Sequence, residues 1–377
     1  MRIDLISSCT YRACVPWDEN NLAYYGSEMM AAILLDAMAN RNPDWEFHWY
    51  APAGSSTFDW KDNITFHPLR LDFGKASDHE ILDESSTEGL KYDYITKSDF
   101  VIDHSASASN VEEARWYSGF KKYVCYRNGY VAFNSPRLDI NQRHYIVPSI
   151  QNQKIFEQNG FASTVIGYGI PGGFYYKRDN MIEEFWSYFQ ETYNLSPKEY
   201  FLFLHRPTKD KGIDKIIRLA KELPDKKIVI AGNAPIAEHQ RSLIEAKRAG
   251  LGLNNLQFVD IPLNPQHHEY LRELVRGATA FLSPFDYPNY IEGWGVLNGI
   301  ACAVGTPLII TDSPSTRELW IENKDAIYID GYYSLKRTVE HFDSYSELKP
   351  ENKFSVDDYA RKYEELAELY NSGADIP

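Results

Sequence analysis

Two short clusters in the second half of the chain hold the side chains that phosphate and sugar chemistry needs. Arg206 and Lys211 follow an apolar stretch, Tyr200–Leu204, that reads as a strand, and a helical pattern begins at Gly212. A guanidinium and an ammonium leaving the carboxyl end of one strand can neutralise the charge that builds on a departing diphosphate. Further along, Glu292-Gly293-Trp294-Gly295 follows a second apolar stretch, Phe281–Pro284, and precedes an uncharged, helix-like run. The first amides of such a helix, those of Gly295, Val296 and Leu297, lack acceptors within it and point toward an anion. Glycines there let backbone approach a ligand closely, and the Glu292 carboxylate can accept hydrogen bonds from sugar hydroxyls. Each cluster alone also has a plainer reading: a solvated strand–helix loop for the first, a capping glutamate in a tight turn for the second. Together they describe a cradle for a diphosphate and a sugar.

The elements that would position these residues come from an alternation of short β-rich apolar runs with helical patterns. In the first half the strands read Ile3–Ser7, Glu46–Tyr50, Ile64–Pro68, Phe100–Asp103, Tyr123–Tyr126 and Tyr145–Pro148. Between the first two lies a helix that Ser27 can cap, with Met30, Ile33, Leu34, Ala37 and Met38 on one stripe. Pro171-Gly172-Gly173 interrupts the pattern, and an acidic-aromatic bridge near 180–193 leads to its restart at Tyr200. From there strands at 200–204, 227–231, 256–259, 280–283 and 308–311 alternate with helices at 212–222, 236–249, 266–276 and 295–304. The fold class is α/β: two Rossmann-like, doubly wound domains facing across a cleft, with ligands at the carboxyl ends of strands. The domains are 1–175 and 195–345, followed by a C-terminal helical segment, 346–377, that packs back on the first domain. Its amphipathic part carries Tyr359, Tyr363, Leu366 and Leu369 on one face.

A length of 377 residues fits two domains, each with its own core. The 39 Lys+Arg against 53 Asp+Glu leave a net charge of −14, which counts against a general nucleic-acid binder. Cys9, Cys14, Cys125 and Cys302 show no pairing pattern, as expected of reduced thiols in a cytoplasmic protein. The uncharged run 293–310 is broken by Gly295, Asn298, Gly299, Gly305 and Pro307, so a buried helix and strand explain it better than a membrane span. His267-His268-Glu269 reads as a polar helix start rather than a metal site, because adjacent histidines on a helix cannot face one ion.

The second half resembles retaining glycosyltransferases of the GT-B fold, in the large metal-independent, nucleotide-sugar-using group known as glycosyl transferases group 1. Their Arg followed five positions on by Lys-Gly is matched by Arg206 and Lys211-Gly212. Their Ile-x-Gly strand end is matched by Ile230-Ala231-Gly232, and their Glu-Gly-Phe-Gly turn by Glu292-Gly293-Trp294-Gly295. Leu251-Gly252-Leu253 through Phe258, Gly305-Thr306-Pro307 and Glu318 continue the match. The first half resembles the group more sparsely, through Tyr25-Gly26-Ser27-Glu28, Tyr145–Ser149 and Gly169-Ile170-Pro171.

The resemblance implies a hexosyltransferase-type activity that moves a sugar, with retention, from a nucleotide-diphosphate donor of UDP or GDP type to a glycan or other hydroxyl acceptor. No cofactor, metal or transmembrane segment is implied. Arg206, Lys211 and Glu292 would be catalytic. Gly26, Gly232, Ile261, Gly293, Trp294, Gly295, Val296 and Leu297 would bind the donor, and His104, Arg127 and Tyr290 are candidate sugar or acceptor contacts. Tyr287, Tyr290 and Trp294 are the rings expected beside the sugar. Three departures stand out. Ile300 occupies the place of a second family carboxylate that holds the ribose, Arg127 that of a histidine, and Ser315-Thr316 that of a Gly-Gly pair. A sugar-nucleotide epimerase on the same scaffold and a non-catalytic nucleotide- or glycan-binding subunit remain the alternatives.

Overall fold

In the computed structural model, residues 1–6, 26–52, 61–69, 99–103, 123–126, 144–170, 183–232, 237–260, 267–290, 292–345 and 347–373 are described. They form two compact units, each built on a parallel sheet.

The first unit contains strands β1 (Arg2–Ile6), β2 (Glu46–Pro52), β3 (Ile64–Leu69), β4 (Phe100–Asp103), β5 (Tyr123–Tyr126), β6 (His144–Val147) and β7 (Ser163–Val165), in the sheet order β3-β2-β1-β4-β5-β6-β7. Every pairing is parallel, with Ile3 opposite Phe47 on one side of β1 and Phe100 on the other. Helix α1 (Gly26–Arg41) buries Met30, Leu34, Ala37 and Met38, the stripe its 3.6-residue spacing requires. It begins at Gly26, one residue before Ser27. Helix α2 (Ile150–Gln158) was not anticipated; Ser149 caps it by accepting from the Asn152 amide at 3.3 Å.

The C-terminal helix belongs to this unit. It runs Val356–Asn371 and buries Tyr359, Tyr363 and Leu366. Its Glu364 carboxylate is also buried, and is met by Arg41 Nε at 3.0 Å and Asn42 Nδ2 at 2.8 Å at the end of α1. Tyr370 packs on Phe100 with ring centroids 5.4 Å apart.

The second unit spans Ile170–Ser355, so the division falls at Ile170 and Val356 instead of 175 and 346. The reason is local. Lys349 donates to Lys324 O at 3.0 Å, Phe354 packs its ring on Trp294 and Trp320, and Ser355 bridges to Ile170. Its strands are β8 (Tyr200–Phe203), β9 (Lys227–Ala231), β10 (Leu256–Val259), β11 (Ala280–Ser283), β12 (Leu308–Thr311) and β13 (Ala326–Ile329), ordered β10-β9-β8-β11-β12-β13. All residues of β8, β11 and β12 are buried, as central parallel strands covered on both faces must be. Helix α3 (Glu183–Tyr193) forms most of the acidic-aromatic bridge and buries Phe185, Trp186 and Phe189. Helix α4 (Ile213–Glu222) lays Ile216, Leu219 and Ala220 into a core shared with Phe201, Ile228, Leu282 and Ile309, and helices α5 (Ala237–Ala249) and α6 (His267–Gly277) follow β9 and β10.

The strand order places the site. Chain progression runs one way from β8 through β9 to β10 and the other way from β11 to β13, so it reverses between β8 and β11. Loops leaving the carboxyl ends of two such strands diverge and open a crevice there. The cationic cluster follows β8 and the glutamate cluster follows β11. Among the described residues, no helix is long and apolar enough to cross a membrane.

Candidate active site

After β8 the chain passes His205 and Arg206 into a short 3-10 turn, Lys209–Lys211, and then Gly212. Gly212 has φ 86°, and a Cβ on it would lie 2.2 Å from Pro284 O, so no other residue fits between this turn and the end of β11. The two loops are joined further. Asp286 N donates to Asp210 O at 2.9 Å, and Lys215 Nζ reaches Pro284 O at 3.1 Å and Phe285 O at 3.2 Å. This stitching brings Lys211 onto the residues that follow β11.

Lys211 is 8% exposed and Glu292 is 7% exposed, and their ammonium and carboxylate form an ion pair. Lys211 Nζ also donates to the Tyr290 hydroxyl at 2.7 Å, with the ring centroid 4.3 Å away. Burial alone would pull the Lys211 ammonium down, but the Glu292 carboxylate and the Tyr290 hydroxyl hold it above the ordinary lysine value. Burial pushes the Tyr290 phenol up, and Glu292 adds to this. Lys211 and Glu292, assigned separate tasks from the sequence, are partners in the structure.

Arg206 is different. Its side chain is half exposed, and its ion-pair contact among the described residues, with Asp210, is at 3.9 Å. Such a pair contributes little and leaves the guanidinium available to an anion. Its charge nevertheless reaches the cluster, where it favours the ionised Tyr290 phenol and opposes protonation of His205. His205 itself stands between the rings of Phe203 and Phe281, each with centroids 5.3 Å away. Burial first, then Lys211 and Arg206, hold it well below the ordinary histidine range, so it is neutral.

Glu292 is held from behind by a residue that the sequence marks only as a departure. Ser315 Oγ donates to Glu292 O at 2.7 Å, and the adjacent Thr316 completes a capping box with Ser313 at the start of the helix Pro314–Leu319. From Glu292 the chain turns through buried Gly293 and half-buried Gly295, the latter at φ 70°, into α7 (Val296–Ala303). The amides of Gly295, Val296 and Leu297 therefore lie at a helix start beside the Lys211–Glu292 pair.

Trp294 does not offer its ring to a ligand. It is 1% exposed, with centroids 6.0 Å from Trp320 and 4.8 Å from Phe354. A Cβ on Gly299 would meet its ring at 2.5 Å, so that glycine makes room for a core tryptophan. What Trp294 can give a donor is backbone. Tyr290 is likewise occupied by Lys211, while Tyr287 is exposed. Gly232, at φ 120°, follows β9, and Ile300 is fully buried and presents no polar group. Gly26 opens α1 in the first unit. His104, Arg127 and Ile261 lie outside the described residues. Asn298, in the first turn of α7, is a site neighbour that the sequence reading missed as such. Its signal was a polar side chain inside an otherwise apolar run.

Residues 185–363 match the family described as Glycosyl transferases group 1. No curated protein matches the chain. Sucrose-phosphate synthase from Thermosynechococcus elongatus is similar in structure, with a TM-score of 0.72 at 15% identity over 99% of this chain and 100% of that one. HepE of Anabaena, in complex with UDP and glucose, gives a TM-score of 0.69 at 15% identity over 98% of this chain and 99% of that one. The catalytic domain of starch synthase IV from Arabidopsis thaliana, bound to ADP and acarbose, gives 0.64 at 12% identity over 98% and 99%. At such identities the likeness speaks for the fold. The chain therefore has the GT-B fold, and its residues 185–363 form a glycosyl transferases group 1 domain.

Proposed function

We propose that this protein transfers a hexose-type sugar from a nucleotide-diphosphate donor to a hydroxyl acceptor, with retention and without a metal ion. The observation that carries the reading is the buried Lys211–Glu292–Tyr290 cluster between the carboxyl ends of β8 and β11, beside the start of α7. Arg206, Lys211 and the first amides of α7 take the diphosphate. The charge that builds on it as the glycosidic bond breaks falls on groups already fixed in place, so little reorganisation is needed at that moment. Side-chain cations supply here what a divalent ion supplies elsewhere. Glu292 accepts from the sugar hydroxyls. Gly26, Gly232 and Ile261 remain donor contacts in this reading, and His104 and Arg127 sugar or acceptor contacts. Retention rests on the sequence pattern shared with retaining enzymes. Complexes of similar folds with UDP-glucose and with ADP support a nucleotide-sugar donor. Scattered cysteines support a cytoplasmic setting.

The test is thermal unfolding with UDP-glucose, GDP-glucose and ADP-glucose, each with and without EDTA. A ligand at a hundred times its Kd stabilises by about 2.7 kcal/mol, enough to move the midpoint by several degrees. One of the three is expected to do so, equally with EDTA present. No shift with any of them overturns the reading, and a shift lost on chelation overturns its metal-free part. Incubating the same donor without acceptor and following the sugar by NMR separates transfer from epimerisation: an epimerised donor would contradict the transferase.

A further inference from the structure

Asn298 is completely buried, and among the described residues neither its amide nitrogen nor its amide oxygen has a hydrogen-bond partner. A buried amide left unpaired is a standing cost to the fold and calls for a reason. Its position supplies one. A Cβ placed on Gly295 would fall 2.3 Å from Asn298 Nδ2 and 3.4 Å from Glu292 Cγ, so the amide and the stem of Glu292 pack against the same glycine.

The ion pair next to it poses the complementary problem. Two of the three Lys211 Nζ donors are already spent, on Glu292 and on Tyr290, so a diphosphate that draws the ammonium toward itself loosens its hold on the carboxylate. A buried carboxylate that loses its ammonium needs another donor at once, because an unpaired charge there is strongly disfavoured. We propose that Asn298 is a positioning residue for Glu292: when the donor's diphosphate draws Lys211 away, the Asn298 amide takes over the carboxylate and holds it toward the sugar. The amide stands unpaired because the carboxylate it would serve is held by Lys211. This inference rests on the donor-binding reading above and adds to it a hand-over within the site.

Asn298→Leu, close in size and without polar atoms, separates this role from a structural one. The ligand-free variant should unfold at or above the wild-type midpoint, since an unpaired buried amide has been removed. Its affinity for whichever of UDP-glucose, GDP-glucose and ADP-glucose binds the wild type, read by titration calorimetry, should fall about tenfold or more. In a Glu292→Gln background the same substitution should change affinity little, because the charge it serves is gone. If Asn298→Leu fails to fold, Asn298→Ala is read in the same two backgrounds. Unchanged affinity, or an equal loss in both backgrounds, overturns the hand-over while leaving the proposed function standing. A wild-type protein that binds none of the three sugars overturns both.

Discussion

Lys211→Ala is expected to remove nearly all transfer activity and to weaken the fold in the same step. Loss of one preorganised cation at a departing diphosphate should lower kcat by about 10²–10³-fold, as removal of a comparable oxyanion donor does. The stability loss has a separate origin. With its ammonium gone, the Glu292 carboxylate stays buried without a counter-charge, and breaking a buried pair from one side costs about 3–5 kcal/mol. Urea unfolding and steady-state kinetics read the two effects independently. The double substitution Lys211→Met with Glu292→Gln removes both charges, so it should recover most of the stability and none of the activity. A Lys211→Ala protein with wild-type turnover would show that the diphosphate is held elsewhere. One with wild-type stability would show that the pair is not the buried contact seen here.

Arg206→Ala should separate the same two quantities. Its side chain is half exposed and its contact with Asp210 is long, so the stability change should stay within about 0.5 kcal/mol. Transfer should nevertheless fall by about 10²-fold, or roughly 3 kcal/mol of transition-state stabilisation. Arg206→Lys should recover only part of that, because an ammonium cannot offer the two parallel donors of a guanidinium. The contrast between the two cations is the informative result. One is buried and paired, so its loss should cost both fold and transfer; the other is half exposed, so its loss should cost transfer alone. Equal stability losses in the two alanine variants would contradict that division.

How far the sequence reached depends on the kind of feature. The parallel-sheet alternation was visible because runs such as Phe201–Phe203 and Leu308–Ile310 are apolar throughout, and only strands covered on both faces read that way. The strand β13 was not seen, since Ala326–Ile329 is short and sits among charged residues, where periodicity has nothing to work on. Lys211 and Glu292 stood out because each adjoins a glycine, the residue that lets backbone turn sharply and come close to a ligand. Their pairing was not legible. It depends on Gly212 meeting Pro284 and on Asp286 meeting Asp210, contacts between segments far apart in the chain.

Trp294 shows the opposite limit. A large ring beside a glutamate looks like a sugar platform, but residue type does not say which way a side chain turns. The space above Gly299 and the rings of Trp320 and Phe354 decide it. Ser315 and Thr316 appeared only as departures from a glycine pair. Their hydroxyls turn out to hold the Glu292 carbonyl and to cap the next helix.

The most direct test of the account is a crystal structure of the protein with the nucleoside diphosphate of whichever sugar donor stabilises it. Diphosphate oxygens are expected within about 3 Å of Lys211 Nζ, the Arg206 guanidinium and the amides of Gly295–Leu297, with the Lys211–Glu292 contact opened. A diphosphate bound away from those groups, with Lys211 still locked to Glu292, would contradict it.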